Sequence, residues 1–319
     1  MAVTKLDNRI SLQKLEVLCL VVELGTVARA AEHLAVAQPV VTAHIRSLEE
    51  RLGIRLFVGS GRSLELTEAG QLVHSWAAET LARTHGLVRE LQGIHDGQRG
   101  AALIGASQSV GGYLLPVVLS NFSRERPEAD ITMTIGDPET VLREVEQGEL
   151  DFCVIISGLA PDGRVFDSEL LRTEDIVLVT APCGAPLGDE IRIEQLAEIP
   201  IVGSPASARR SLVDSALASL NAPSYEPVIE FGHAEAAKRA VVTGLGATLL
   251  TRASVKTELE LGVLREVRFR CGQPRVNIYA VKRRDKRHSE LQQQLWCTIR
   301  DELLLSHREP ALRALEPAV

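Results

Sequence analysis

The first part of the chain repeats apolar positions with the period of short helices. Over residues 12–22 the apolar side chains recur every three or four positions, which predicts one buried face of an amphipathic helix. Gly25 is placed to end that helix, and Thr26 is placed to cap a second, brief helix over residues 27–34. The pattern therefore predicts two helices joined by a tight turn.

A third helix is predicted to begin at Gln38 and to end at Gly53. Pro39 suits the first turn of a helix, where the missing backbone N–H has no intrahelical partner to lose. The apolar positions that form its buried stripe are Val41, Ile45, Leu48 and Leu52. The side chains between them are therefore predicted to face outward.

Two short extended pieces and a long helix follow. The extended pieces cover residues 55–57 and 64–66, and the glycine-containing turn at 59–61 predicts a hairpin between them. A long helix is predicted over residues 67–95, followed by a hinge at 97–100. Helix, tight turn, helix and hairpin together predict a winged helix-turn-helix.

From Ala101 onward, apolar strands alternate with helices. Strands are predicted near residues 102–107, 131–136, 151–157, 176–180, 200–203, 226–231, 246–250 and 275–281. Helices are predicted near residues 110–124, 138–147, 207–220, 234–243 and 288–305. This order is typical of βαβ units in a mostly parallel sheet, and its length favours two sub-domains.

Length and composition set limits on the class of protein. A chain of 319 residues favours more than one domain, and no apolar run approaches the roughly 18 residues of a membrane span. Five scattered cysteines without a C-x-x-C pair predict reduced thiols in a cytoplasmic protein. The charged residues near the N-terminus leave no room for a signal peptide. No cofactor and no metal are expected.

The net charge of −7 hides a basic segment. Between residues 26 and 63 there are five arginines and three glutamates, so this segment is positive. Gln and Thr side chains suit hydrogen bonds to base edges, and Arg suits phosphate or guanine. The candidate DNA contacts are Arg29, Gln38, Pro39, Thr42, Ala43, Arg46 and, at the hairpin tip, Arg62.

Six separated motifs then point to a known family. They are residues 30–39 (AAEHLAVAQP), 45–57 (IRSLEERLGIRLF), 66–70 (LTEAG), 113–116 (YLLP), 148–151 (GELD) and 244–247 (GLGA). In this order they resemble the LysR-type transcriptional regulators over roughly residues 11–306. Ala37, Gly59 and residues 42–44 depart from the family pattern, and the last two departures suggest a divergent operator.

The resemblance implies an α/β fold class with an N-terminal winged helix-turn-helix, a long linker helix and a two-lobed effector domain like that of periplasmic binding proteins. The implied domains are 1–66 for DNA binding, 67–97 for dimerisation, 98–163 with 272–306 for lobe I, 164–271 for lobe II and 307–319 for a tail. The chain would cross to lobe II near residue 163 and return near 272. The third helix would read promoter DNA, and two dimers would form a tetramer.

The resemblance also implies a small-molecule effector between the lobes, at strand ends and helix starts. The candidate effector-binding residues are Ser107, Gln108, Ser109, Asp137, Ser204 and His233. Backbone N–H groups and hydroxyls suit a carboxylate or another small polar metabolite. Because Asp137 would repel an anion, a neutral or zwitterionic effector stays open.

The sequence leaves two rival functions open. A small-molecule-binding protein or an enzyme could use the same α/β fold, but the chain has no G-x-S-x-G, no P-loop and no H-E-x-x-H motif. The interpretation is a cytoplasmic, homo-oligomeric transcription factor without enzymatic activity. Its expected partners are double-stranded promoter DNA, an effector and, as a further candidate, RNA polymerase, with no membrane partner.

Overall fold

The computed structural model describes residues 10–58, 64–95, 100–205 and 208–313. The chain forms two compact units, which are described separately. The first contains residues 1–92, and the second contains most of the chain after residue 93. Within the described residues, no helix combines the length and the apolar composition needed to cross a membrane.

The first unit contains the predicted helices and hairpin. Its elements are α1 (Leu12–Leu24), α2 (Val27–His33), α3 (Gln38–Leu52), β1 (Phe57–Val58), β2 (Glu65–Leu66) and the start of α4 (Glu68–His95). Gly25 ends α1 with a φ of 74°, in the left-handed region that favours glycine. The Thr26 hydroxyl accepts a hydrogen bond from the backbone N–H of Arg29 and so caps α2. The predicted helix boundaries at these two residues are confirmed.

One apolar core holds this unit together. Val41, Ile45 and Leu48 of α3 are buried, which confirms three of the four stripe positions, while Leu52 is half-buried. They pack with buried side chains of the neighbouring helices and of the segment before the hairpin: Leu15, Val17, Leu18, Val21, Ala30, Ala31, Leu56 and Ala77. Because α3 buries one stripe, its opposite face is free to meet a partner.

The second unit is a mixed α/β structure. Its strands are β3 (Ala101–Ser107), β4 (Asp130–Gly136), β5 (Phe152–Ser157), β6 (Phe166–Thr180), β7 (Glu190–Ile191), β8 (Ile201–Gly203), β9 (Pro227–Glu230), β10 (Ala247–Thr251), β11 (Arg265–Phe269) and β12 (Arg275–Arg283). Its helices are α5 (Gln108–Tyr113), α6 (Leu115–Glu125), α7 (Pro138–Gln147), α8 (Ala208–Ala218), α9 (Ala234–Val242), α10 (Arg252–Glu260) and α11 (Glu290–Arg313), with a 3-10 helix at Ile193–Glu198.

The strands form two lobes that share one long strand. In order, β4, β3, β5, β12 and the first part of β6 make lobe I, and the rest of β6, β10, β8 and β9 make lobe II. β11 and β7 extend lobe II from β6. β3 is parallel to β4 and β5, but β12 and β10 run antiparallel to β6. The sheet is therefore mixed, where the sequence predicted a mostly parallel one.

The crossing between the lobes lies inside β6. Residues 166–175 pair with β12, and Ile176 starts the pairing with β10. These pairings keep residues 166–175 in lobe I, so the chain crosses later than the predicted position near residue 163. The backbone N–H of Ile176 donates to the carbonyl of Pro274 at 2.8 Å. Pro274 lies directly before β12, the strand through which the chain returns to lobe I.

Several elements differ from those predicted. The helix expected over residues 110–124 is two helices, because Pro116 occupies the first turn of α6 and a new helix begins there. α10, β7, β11 and the 3-10 helix were not predicted. α11 continues to Arg313, so the tail predicted from residue 307 is helical over its first seven positions.

Candidate functional site

The outer face of α3 is a polar, open surface. Its exposed residues include Gln38, Pro39, Ala43 and Arg46, and Thr42 is half-buried beside them. Together with Ser47 and Glu50 they line one broad surface depression of about 540 Å³. The structure therefore brings together five of the seven predicted DNA contacts on one helix face.

Hydrogen bonds fix part of this face. The Thr42 hydroxyl donates to the Gln38 carbonyl at 3.1 Å, which leaves its oxygen available as an acceptor. The Lys14 ammonium of α1 donates to the Ser47 hydroxyl at 2.9 Å and brings a positive charge to the edge of the face. Sequence reasoning missed Lys14, Ser47 and Glu50. Ser47 and Glu50 follow Ala43 and Arg46 at helical spacing, and this spacing could have predicted that Ser47 and Glu50 lie on the same face.

The other two predicted DNA contacts lie elsewhere. Arg29 is exposed on α2, and its guanidinium donates to the Leu24 carbonyl at 3.4 Å. Arg62 and the hairpin tip lie outside the described residues. The surface on α3 is thus built without either arginine.

A cavity of about 60 Å³ lies between the lobes of the second unit. Five of its described lining residues are polar: Ser107, Gln108, Ser109, Asp137 and Thr251. Seven are aliphatic: Ile156, Ile176, Leu212, Val213, Leu249, Leu250 and Val276. Gly136 and Pro138 complete the described lining. The cavity therefore combines an apolar body with a few hydrogen-bonding groups, which is typical of small-molecule sites.

The polar residues of lobe I have different surroundings. Ser107 is buried, and its hydroxyl accepts a hydrogen bond from the Ile156 N–H at 3.1 Å. Gln108 and Ser109 are half-buried, and Asp137 is exposed at the start of α7. A hydroxyl has one hydrogen to donate as well as its acceptor sites, so Ser107 can still donate to a ligand.

The structure does not place Ser204 or His233 in the described lining of this cavity. Ser204 lines a smaller recess in lobe II with Arg210 and Tyr225, and this recess shares Val213, Leu249 and Leu250 with the wall of the cavity. The His233 ring accepts a hydrogen bond from the Glu235 N–H at 3.3 Å and so caps α9. A helix cap and a ligand contact use the same residue types, which is why the sequence grouped His233 with the cavity.

Sequence reasoning missed most of the lobe II wall. Thr251 lies at the junction of β10 and α10, the same kind of strand-to-helix junction that pointed to Ser107. The junction was overlooked because α10 was not predicted. Ile176, Leu249, Leu250 and Val276 are apolar strand residues, and their sequence gives no sign that they face a cavity rather than a core.

Ser107→Ala is expected to lower the free energy of unfolding by about 1–3 kcal/mol, because the buried Ile156 N–H loses its acceptor. Ser109→Ala is the matched control and should stay within about 0.5 kcal/mol. Urea unfolding of both variants checks this. Equal stability of the two variants would contradict the assigned hydrogen bond, and Ser109→Ala is the cleaner probe of ligand binding.

The cysteines and possible metal ligands do not form a further site among the described residues. Burial and the nearby Glu144 carboxylate raise the pKa of the Cys153 thiol well above its ordinary value, so it stays protonated. Cys183 is exposed on the surface of lobe II. In the part of the chain that the structure describes, no group of three His, Cys, Asp or Glu residues could hold a metal ion.

Comparisons with known proteins agree on one family. Residues 12–71 match the bacterial regulatory helix-turn-helix protein model of the lysR family, and residues 95–304 match the LysR substrate binding domain. The chain is 32% identical over 263 residues to the uncharacterized HTH-type transcriptional regulator YeiE of Escherichia coli, covering 81% of this chain and 86% of that protein. A probable RuBisCO transcriptional regulator of Nostoc sp. is 29% identical over 264 residues, covering 81% and 78%.

Solved structures show the same fold. CbnR, a LysR family transcriptional regulator, superimposes with a TM-score of 0.67 at 20% identity over 92% of this chain and 99% of that one. CbnR complexed with its target DNA gives a TM-score of 0.63 at 19% identity, with the same coverage. A full-length OxyR variant from Pseudomonas aeruginosa gives 0.62 at 20% identity over 93% and 95%.

Proposed function

The chain belongs to the LysR family of transcriptional regulators, and from this premise we propose that the outer face of α3 reads promoter DNA while the interlobe cavity binds the effector. The observation that carries the proposal is that exposed Gln38 and Arg46, with half-buried Thr42 between them, share one face of a helix whose opposite stripe is buried. A helix presented in this way fits the major groove.

The residues on the outer face of α3 are proposed to read bases, and nearby basic residues of α1 and α2 to bind phosphates. Arg46 is suited to a bidentate contact with guanine or to a phosphate, and Gln38 to adenine or a backbone oxygen. Lys14 and Arg29 supply positive charge for the phosphates near this face, without reading sequence. Glu50 would repel phosphate and can accept a hydrogen bond from a cytosine amino group, which makes it a candidate for specificity.

The effector is proposed to be a small molecule with an apolar part and at least one hydrogen-bonding group. The aliphatic side chains of the cavity suit the apolar part, and Ser109, Gln108 and Thr251 suit the polar group. Asp137 favours a neutral or zwitterionic molecule over an anion. To regulate, the effector needs different affinities for two arrangements of the lobes, since each tenfold preference supplies about 1.4 kcal/mol.

The assembly and location follow from the same premise. We propose that the protein acts in the cytoplasm as a homo-oligomer, with α4 as the dimerisation helix and two dimers on one promoter. CbnR is described in complex with its target DNA, which supports promoter DNA as the partner. No enzymatic activity is proposed, and RNA polymerase is proposed as a further partner at the promoter.

Selection of genomic fragments by the purified protein, followed by footprinting, tests the proposed function. A few enriched promoter regions with extended, dyad-symmetric footprints are expected, and binding should weaken steeply as salt rises. The genes beside these regions would supply candidate effectors, to be tested for a change in the footprint. Enrichment no better than that of the Thr42→Ala, Arg46→Ala double variant would contradict the proposal.

A further inference from the structure

A chain of hydrogen bonds joins the two lobes beside the cavity. Tyr113, the last residue of α5 in lobe I, donates its phenolic O–H to the Glu235 carboxylate of α9 in lobe II. Lys238, one turn further along α9, pairs with the same carboxylate at 2.6 Å. Its ammonium also lies 4.9 Å from the centre of the Tyr113 ring, at cation–π distance. An acid and a base of lobe II thus hold one aromatic side chain of lobe I.

Lys238 is fixed in position by its partners. Its side chain is only 5% exposed, and a buried ammonium is costly unless its donors are satisfied. Besides Glu235, it donates to the Glu258 carboxylate at 2.6 Å and to the Ser254 carbonyl at 2.9 Å. Three acceptors for three N–H groups leave the lysine a single well-defined place, from which it orients Glu235 toward Tyr113.

The acceptor of the tyrosine hydrogen bond is charged. Burial alone would raise the pKa of the Glu235 carboxyl, but hydrogen bonds from Lys238 and Tyr113 hold this pKa below its ordinary value. Glu235 is therefore ionised at neutral pH. A hydroxyl that donates to an ionised carboxylate makes a stronger hydrogen bond than one that donates to a neutral group.

Both walls of the cavity connect to this cluster. In lobe I, α5 begins at Gln108, which lines the cavity, and ends at Tyr113. In lobe II, Thr251 lines the cavity and its hydroxyl lies 2.5 Å from the Ser254 hydroxyl, while the Ser254 carbonyl accepts a hydrogen bond from Lys238. A displacement of either wall therefore acts on the contact between Tyr113 and Glu235.

We propose that Tyr113, Glu235 and Lys238 form an interlobe clasp that holds the lobes in this arrangement and couples occupancy of the cavity to it. The inference rests on the proposed effector function of the cavity. A volume of about 60 Å³ is far below the roughly 300–1,000 Å³ of sites for drug-sized ligands, so a larger effector has to move the walls apart. Because α5 carries one wall and Tyr113 together, that movement separates Tyr113 from Glu235.

Hydrogen exchange of the full chain without DNA tests the clasp directly. Tyr113→Phe removes only the hydroxyl, and we expect about tenfold faster exchange in both Gln108–Tyr113 and Ala234–Val242, the two sides of the contact. Tyr279→Phe is the matched control, because the Tyr279 hydroxyl contacts Asn277 within lobe I. Unchanged exchange in α9 of Tyr113→Phe would overturn the proposal.

A double-mutant cycle separates the clasp from general loosening. Glu235→Ala leaves Lys238 with Glu258 and Ser254, so the fold is retained. Glu235→Ala and Tyr113→Phe should each accelerate exchange in α5, and the double variant should exchange no faster than Glu235→Ala alone. Fully multiplicative effects of the two changes would show that they act independently, which would overturn the clasp.

Footprints on a selected promoter fragment test the coupling. Without any effector, Tyr113→Phe is expected to alter the footprint at a temperature where the variant is fully folded, whereas Tyr279→Phe should reproduce the footprint of the unsubstituted protein. Altered exchange with an identical footprint would overturn the coupling. If the unsubstituted protein itself selects no promoter fragment, the proposed function fails, while the exchange experiment still decides whether the clasp exists.

Discussion

Replacing Arg46 and Thr42 together by alanine is expected to weaken binding to a selected promoter fragment about a hundredfold, with the fold intact. Both side chains lie on the outer face of α3, outside the apolar core. A good base contact contributes about 1–3 kcal/mol of discrimination, so two of them give about 2–6 kcal/mol, a range that includes the roughly 2.8 kcal/mol of a hundredfold change. Fluorescence anisotropy with labelled fragments over a range of salt concentrations measures the loss.

The control for this prediction is Arg51→Ala on the same helix. Arg51 is exposed and carries the same charge as Arg46, but it does not belong to the surface formed by Gln38, Thr42 and Arg46. Loss of one exposed positive charge at this site should change the affinity by only about threefold. If Arg51→Ala weakens binding as much as the double variant does, net charge rather than the α3 face determines affinity.

Local signals explain why the DNA-binding part was largely predictable. Gly25, Thr26 and Gly53 act on the backbone within one turn of their own position: two glycines take positive φ and a hydroxyl caps a helix. The buried stripe of α3 is likewise a matter of spacing within one helix. The buried face of α3 identified Gln38, Thr42 and Arg46 as outward residues, whereas Ser47 and Glu50 on the same face and the Lys14 contact from another helix were missed.

The cavity was predictable only where it depends on neighbouring residues in sequence. Ser107, Ser109 and Asp137 lie at junctions of a strand with the next helix, and such junctions can be read from the sequence. Ile176 and Val276 reach the cavity through the pairing of β6 with β10 and with β12, which joins residues about 75 and about 100 positions apart, respectively. Propensity and periodicity carry no information on such pairings, so the apolar wall could not be foreseen.

The interlobe clasp illustrates the same limit more sharply. Tyr113 belongs to a motif that resembles the family, but its partner Glu235 is 122 positions away. Lys238 would be expected on the solvent side of an amphipathic helix, yet it is buried among acceptors from α9 and α10. A sequence pattern predicts that a charged residue is exposed, because most charged residues are, whereas a charged residue that is paired can be buried.

Gly246→Ala is expected to destabilise the second unit severely, by about 4 kcal/mol or more. A Cβ at this position would lie 2.0 Å from the Pro200 carbonyl oxygen, and Gly246 also has a φ of +69°. The same carbonyl accepts the Ala247 N–H at 2.9 Å, and the Gly246 carbonyl accepts the buried Thr180 hydroxyl at 2.8 Å. Relieving the clash therefore requires a shift of backbone where β10 meets β8 and β6.

Gly262→Ala separates the steric contribution from the conformational one. Gly262 has the same φ of +69°, but a Cβ there would have no atom within 4 Å. Its substitution should cost only the left-handed conformation of an alanine, about 1–2 kcal/mol. Urea unfolding of both variants by circular dichroism compares the two. Because φ is matched, the excess destabilisation of Gly246→Ala measures the close approach of Pro200, and equal losses would show that this contact does not constrain lobe II.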